Sequence, residues 1–354
     1  MLKVIDYLRT NGLQSLIDTY HINVKKHSIY PNLIVLKYDQ VESPKNVTVV
    51  DDCRGLILDT DNDFQVVSMA FRRFFNSNES HAANLDWNTA TVYEKLDGSL
   101  VSLWYYAGAW QCSTSGTADA SGQVGHTSQT FKDLFWKTFN DLGYKLPLNT
   151  DMVYIFELMT FDNQVLVRHA KPRLVVIGWR NRVTLEEFPV SEISDYFGYE
   201  KVKSYSLNNI KDIEASLENI VPTEMEGYVV CDANFNRIKV KSPQYVALAH
   251  LKEGMSHRRI LEIIRNNENN EFISYFPEYE VQFNEMQVKY DKLHKLIDET
   301  WVIRNIDTDQ KAFALSIKDL AFSSILFQLR AKKVATVKEG LQKANLDSLF
   351  GWLN

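Results

Sequence analysis

Two textures of hydrophobic and polar positions divide the chain. From about residue 30 to 242, short apolar runs recur between turn-formers: "NLIVLKY", "RGLILD", "SLVSLWYY", "MVYIFELM", "RLVVIGW", "EGYVVCD" and "RIKVKS". Runs of this length, rich in β-branched and aromatic residues, predict strands. The stretches between them are longer and partly helical, as in "SQTFKDLFWKTFNDLG". Together they predict an α+β domain built on antiparallel sheets. The segment "STSGTADASGQVGHTSQ" reads as an exposed loop, because Ser, Thr and Gly dominate it.

At Ser242-Pro243 the texture changes. Serine at an N-cap with proline at the first helical position signals a helix start. Strand patterns nearly vanish from there to Asn354, and Met286, Tyr290, Leu293 and Ile297 recur on one helical face. The expected domains are therefore 1–242 and an all-α domain, 243–354.

Composition narrows the class. Of 354 residues, 45% are hydrophobic and 24% charged, as in soluble globular proteins. No apolar run approaches the roughly 20 residues that span a bilayer. Cys53, Cys112 and Cys231 lack the paired spacing of a zinc site or disulfide framework, which predicts a reducing, cytoplasmic setting. A net charge of −6 argues against a general nucleic-acid coat protein. Basic residues nevertheless cluster at Arg72–Arg73, Arg168–Arg182 and Arg237–Lys241. Residues 245–354 carry 15 basic and 15 acidic side chains, a neutral mixture rather than a charged arm.

Several short stretches can carry chemistry. "EKLDGS" places Lys95 before Asp97-Gly98, which suits a nucleophile or a hairpin turn, since Asp-Gly readily takes positive φ. In "FNRIKVKS", strand alternation sets Lys239 and Lys241 opposite Ile238 and Val240. Two ammonium groups on one face suit a polyphosphate, or protect an edge strand. Glu157 lies in a strand apolar on both faces, where an unpaired carboxylate is costly. It calls for a cation, a metal-bound water, a hydrogen-bonded ligand or a structural salt bridge. Glu226 precedes Gly227, whose lack of a side chain permits close backbone approach. Arg54-Gly55 precedes an apolar strand, and Arg73 stands beside Phe74 and Phe75, a pair that serves core packing more often than ligand stacking.

Taken in order, these stretches resemble the motifs of the covalent nucleotidyltransferase superfamily, which includes polynucleotide ligases and RNA capping enzymes. The closer resemblance is to the phage RNA-ligase-1 family of tRNA-repair ligases. "CRGLILD", "RRFFN", "KLDGSLVS", "MEGYVV" and "IKVKSPQYVALAH" carry it over most of residues 30–250. It implies a nucleotidyltransferase (ligase adenylation) fold with Lys95 as the adenylated nucleophile and Gly98 in the same motif. It further implies ATP contacts from Tyr38, Arg54, Arg73, Phe75, Glu157, Glu226, Lys239 and Lys241. Glu157 and Glu226 are implied to hold Mg2+, or Mn2+, through water. Ser115-Gly116 departs from the pattern, because the family often has Lys-Gly there.

The implied activity is ATP-dependent joining of 5′-phosphate and 3′-hydroxyl RNA ends through lysyl-adenylate and 5′-adenylated RNA. The implied partners are tRNA or single-stranded RNA ends, gripped in part by the helical domain. The protein is expected to act as a monomer away from membranes, in a phage host's cytoplasm if it is a phage protein. A DNA ligase or GTP-using capping enzyme is the first alternative, but the helical texture replaces the OB barrel that typically follows their catalytic domains. A non-catalytic RNA-binding protein is the second, opposed by the retention of all five motif residues.

Overall fold

A computed structural model of the chain describes residues 2–39, 42–125, 127–252, 255–266, 269, 272–273, 277–305 and 309–353. The chain divides into two compact units, Met1–Val246 and Ala247–Asn354. The border falls inside the helix that begins at Pro243, because Tyr245 is buried and its hydroxyl donates to Asp97 Oδ1 at 2.7 Å.

The first unit contains three sheets. One is an antiparallel meander of β1 (Ile22–Lys26), β2 (Leu33–Tyr38), β3 (Arg54–Asp59) and β4 (Gln65–Ser68). Helix α1 (Lys3–Tyr20) covers one of its faces, packing Val4, Leu8 and Leu16 against Ile34, Leu36, Leu56 and Leu58. The short helix α2 (Thr48–Asp52) leads into β3.

The second sheet is built from β7 (Ser99–Tyr106), β8 (Ala109–Thr114), β9 (Met152–Met159), β10 (Arg173–Asn181) and β11 (Glu187–Phe188), with the two-residue β12 (Glu200–Lys201) beside β10. Alternation along β9 decides its packing. Val153 and Ile155 meet Leu33, Val35 and Ile57 of the first sheet. Tyr154, Phe156 and Leu158 face the other way, toward Phe135 and Phe139 of α3 (Phe131–Asp141). That helix begins with a capping box, in which Thr130 and Asp133 satisfy each other's backbone N–H groups. Glu157 shares the Val153 face, and it is where that face leaves the apolar core.

In the third sheet the order is β13 (Ser204–Tyr205), β6 (Thr91–Lys95), β14 (Gly227–Cys231), β15 (Arg237–Lys241) and β5 (Phe75–Asn76). Val92, Tyr228, Val230, Ile238 and Val240 pack on Ile213 and Leu217 of α4 (Ile210–Leu217). The opposite face carries Tyr93, Lys95, Arg237, Lys239 and Lys241, which line a cavity. Because β5 pairs with β15 at Ile238 and Lys239, Lys239 does not guard a sheet edge.

The Ser/Thr/Gly-rich segment is irregular and only in part the exposed loop expected: Ser121, Gln123, Thr127 and Ser128 are exposed, but its other half is not. Ala118, Ala120 and Val124 are each no more than 1% exposed, packed within two of the cores. Their small side chains let the segment lie under α3, where Gly122 O and Ala120 O accept from Phe131 N and Lys132 N. His126 of this segment lies outside the described residues.

In the second unit the described residues contain no strand. Its helices include α6 (His257–Arg265), α7 (Glu280–Arg304), α8 (Gln310–Ile317), α9 (Ser323–Arg330), α10 (Val337–Lys343) and α11 (Leu346–Trp352), after α5 (Pro243–Lys252), which crosses the border. Met286, Tyr290, Leu293 and Ile297 form the buried face of α7. Arg258 pairs with Asp347 at 2.9 Å and Arg259 with Glu262. Among the described residues, no helix is long and apolar enough to cross a membrane.

Candidate active site

Residues 96–98 do not turn a hairpin. They carry the chain from β6 in the third sheet to β7 in the second, so Lys95 ends one sheet and Ser99 begins the other. The hairpin reading of "EKLDGS" fails because the flanking strands pair elsewhere, β6 with β14 and β7 with β8 and β9. Asp97 is buried and works as an anchor. Its Oδ2 accepts from Leu166 N at 2.8 Å and Val167 N at 2.7 Å, while Oδ1 takes the Tyr245 hydroxyl. Gly98 is needed for proximity rather than for positive φ: a Cβ there would lie 2.4 Å from Leu158 O. Its N–H donates to Glu157 Oε1 at 3.1 Å, tying the crossover to β9.

Across the cavity, Glu226 joins two lysines. Its Oε2 accepts from Lys95 Nζ at 2.6 Å and its Oε1 pairs with Lys241 Nζ at 2.9 Å. Register explains the meeting, since Gly227 stands opposite both Lys95 and Lys241. Gly227 must be glycine on two counts: its φ is +149°, and a Cβ would lie 2.2 Å from Val240 O.

Charge is crowded here. Burial, then the neighbouring Lys95, Arg54 and Lys241, push the Lys239 ammonium down to about 8. Burial pushes Glu157 up to about 7, against the pull of Lys95 and with the help of Glu226. Burial also lowers the Arg54 guanidinium, whose Nη1 is buried without a hydrogen-bond partner. Phe74 lies under two of these cations, 5.3 Å from Arg54 and 5.4 Å from Lys239. The cavity measures about 320 Å³, and Tyr93, Ile177 and Val229 supply apolar wall. An anion is the ligand such a site favours.

Of the residues expected from the sequence, Arg54, Lys95, Gly98, Glu157, Lys239 and Lys241 line this cavity, and Glu226 clamps two of them. Tyr38, Arg73 and Phe75 do not line it. They form a neighbouring stack, with the Arg73 guanidinium 4.2 Å from the Tyr38 ring centre and 5.3 Å from that of Phe75. Tyr38 links the two groups, because its hydroxyl also meets Arg54.

Sequence reasoning missed Phe74, Tyr93 and Arg237 as cavity walls. It also missed Lys37, whose Nζ would lie 3.7 Å from a Cβ on Gly116. Lys37 stands opposite Arg54 in the β2–β3 pairing. An ammonium group is thus present beside Ser115-Gly116, reached from another strand. Only the pairing could have revealed it.

The donor set fits a hydrated divalent cation better than a bare one. No cluster of three potential metal-ligating side chains exists among the described residues. Both Glu226 oxygens are engaged by lysines, whereas Glu157 Oε2 has no hydrogen-bond partner among the described residues. Magnesium commonly keeps several waters and takes one or two carboxylates plus substrate phosphates.

A family profile described as RNA ligase matches residues 52–245, the stretch that contains all the cavity residues above. The chain belongs to the RNA ligase family. It is 29% identical over 301 residues to a protein of Autographa californica nuclear polyhedrosis virus described as a bifunctional polynucleotide kinase/RNA ligase. That match covers 78% of this chain and 42% of the viral protein, so the chain spans less than half of this relative. An RNA ligase of Rhodothermus phage RM378 is 25% identical over 353 residues, covering 78% of this chain and 80% of the phage protein. Among solved structures, an archaeal ATP-dependent RNA ligase aligns with a TM-score of 0.48 and 15% identity, over 81% of this chain and 75% of that one. A Naegleria gruberi RNA ligase mutant with ATP and Mn aligns with a TM-score of 0.33 and 13% identity, over 46% and 52%.

Proposed function

We propose that this chain seals RNA 5′-phosphate and 3′-hydroxyl ends with ATP, through an adenylate on Lys95. The observation that carries the reading is Lys95 Nζ, fixed at a strand end by Glu226 and surrounded by Arg54, Lys239 and Lys241. In the first step the Lys95 amine attacks the α-phosphorus of ATP. A P–N bond forms, the bond to the bridging oxygen breaks, and pyrophosphate leaves. Glu226 Oε2, 2.6 Å from Nζ, is placed to take the proton. Lys239, Lys241 and Arg54 stabilise the negative charge that builds on the phosphoryl oxygens. A magnesium or manganese ion, with its waters held by Glu157, would neutralise the triphosphate.

Next, the RNA 5′-phosphate attacks the lysyl-adenylate and frees Lys95. The 3′-hydroxyl then attacks that 5′-phosphate and displaces AMP. Lys37, beside Gly116, adds a cation for the phosphates. The preferred RNA is a tRNA broken in its anticodon loop, held partly by the helical unit, with the chain acting as a monomer in a host cytoplasm.

The test uses ATP labelled at the α-phosphate, with magnesium, followed by denaturation. Wild type should retain label and Lys95→Ala should lose it. Unlabelled wild type, or equal label on the variant, would sink the covalent step.

A further inference from the structure

A second cavity, of about 500 Å³, adjoins the first and shares Phe74, Phe235 and Arg237 with it. Four guanidinium groups line it, from Arg72, Arg73, Arg180 and Arg237, against two carboxylates, Asp51 and Glu187. Two of the arginines share one carboxylate: Glu187 pairs with Arg180 and, at 2.6 Å, with Arg237. Arg72 is paired with Asp52 at 2.9 Å. Arg73 has no ion pair among the described residues, and its Nη1 is buried without a hydrogen-bond partner. Asp51 Oδ1 is orphaned in the same way.

Arg73 Nη1 and Asp51 Oδ1 are shut off from solvent, so the charges that line the cavity, and not these atoms, decide its ligand. Their excess of arginine favours an anion, and planar forked donors match phosphate geometry. Position narrows the source. Arg237 precedes Lys239 by two residues on the same face of β15, about 7 Å along the strand. A polyanion whose end lies at Lys239 and Lys241 would pass Arg237 and enter the second cavity.

We propose that this cavity holds a backbone phosphate of the RNA strand, one step in from the end handled at Lys95. The proposal rests on the ligase reading above. The other source of the same chemistry is the triphosphate tail of ATP, and the experiment separates the two.

Asn234 stands exposed at the rim, in the turn between β14 and β15, and its side chain makes no hydrogen bond among the described residues. Asn234→Glu and Asn234→Lys place opposite charges there. Binding of a short 5′-phosphorylated single-stranded RNA is followed by fluorescence anisotropy across a salt titration, and self-adenylation is followed with labelled ATP. The glutamate variant should bind RNA about fivefold more weakly and the lysine variant about fivefold more tightly, the scale of one exposed charge contact. The salt slope should become shallower with glutamate and steeper with lysine. ATP dependence of self-adenylation should match wild type in both. Asp51→Asn, which removes a carboxylate from the cavity, should also tighten RNA binding. RNA affinities that ignore the charge at position 234 would overturn the proposal. So would a shift in the ATP dependence with RNA binding unmoved, which would give the cavity to the triphosphate tail. Failure of wild type to self-adenylate would overturn the ligase reading itself, and it is read in a separate assay.

Discussion

Glu226 accepts a hydrogen bond from Lys95 Nζ at 2.6 Å, through a side chain only 4% exposed. Among the described residues, the Lys95 amine is therefore restrained by a single buried partner. On the proposed mechanism an incoming phosphate draws Lys95 from that partner, which is also the nearest base.

Replacing Glu226 with glutamine keeps the shape and removes the charge. Self-adenylation of Glu226→Gln should fall about 100-fold, the lower end of what a positioned base contributes. Its rate should also climb more steeply with pH than that of wild type, because hydroxide must substitute for the lost base. Single-turnover labelling across pH 6 to 9 reads both effects, and a flat comparison between the two proteins would exclude a base at this position.

Glu157 makes the ligand-free protein sensitive to pH. Its carboxyl is pushed up to about 7, above the ordinary value near 4.3. A raised carboxyl binds its proton more tightly in the folded state. The stability it adds is complete below the ordinary value and is lost as pH rises through about 7. Glu157→Gln lacks this loss. The melting temperature of wild type should drop relative to the variant between pH 5 and 7.5, and then run parallel to it. Lys239, also shifted, is retained in both proteins, and Glu157 is not among the causes of its shift, so it cancels.

Two glycines should respond oppositely to a methyl group. At Gly98 the added carbon would meet Leu158 O at 2.4 Å, whereas at Gly116 the nearest atom is the flexible tip of Lys37 at 3.7 Å. Gly98→Ala should cost about 1–3 kcal/mol in stability and abolish most self-adenylation. Gly116→Ala should fall within about 0.5 kcal/mol of wild type. Urea melts and labelling on the pair provide the comparison.

Asp97 should prove structural in one readout and kinetic in another. Asparagine offers only one acceptor oxygen where Leu166 N, Val167 N and the Tyr245 hydroxyl all donate. Asp97→Asn should cost about 1–3 kcal/mol for the group left unsatisfied. It should also slow self-adenylation by letting the crossover shift. Tyr245→Phe removes only one of the three donors and should show the smaller loss in both assays.

Local periodicity made much of the site legible. Alternation placed Lys239 with Lys241 and set Glu157 among apolar residues, since side-chain direction in a strand is a property of the strand itself. The order of motifs then tied these residues to Lys95. Pairing between distant strands was not legible. Nothing local says that β6 and β7 join different sheets, that Lys37 stands opposite Arg54, or that Arg73 stacks on Tyr38 outside the main cavity. The segment around Ala118 and Ala120 misled for a different reason. Small residues favour turns, and they also fit where a helix and a sheet leave little room.

The crossover at residues 96–98 has a mechanical consequence. The two sheets whose facing sides line the main cavity are strapped together by three residues, and Lys95, the proposed nucleophile, is the first residue beside the strap. A ligand that wedges the sheets apart pulls on Lys95 directly. On the proposed mechanism the cavity would act as a caliper: an ill-sized base would register as a misplaced amine, and fit would be translated into rate at Lys95 Nζ.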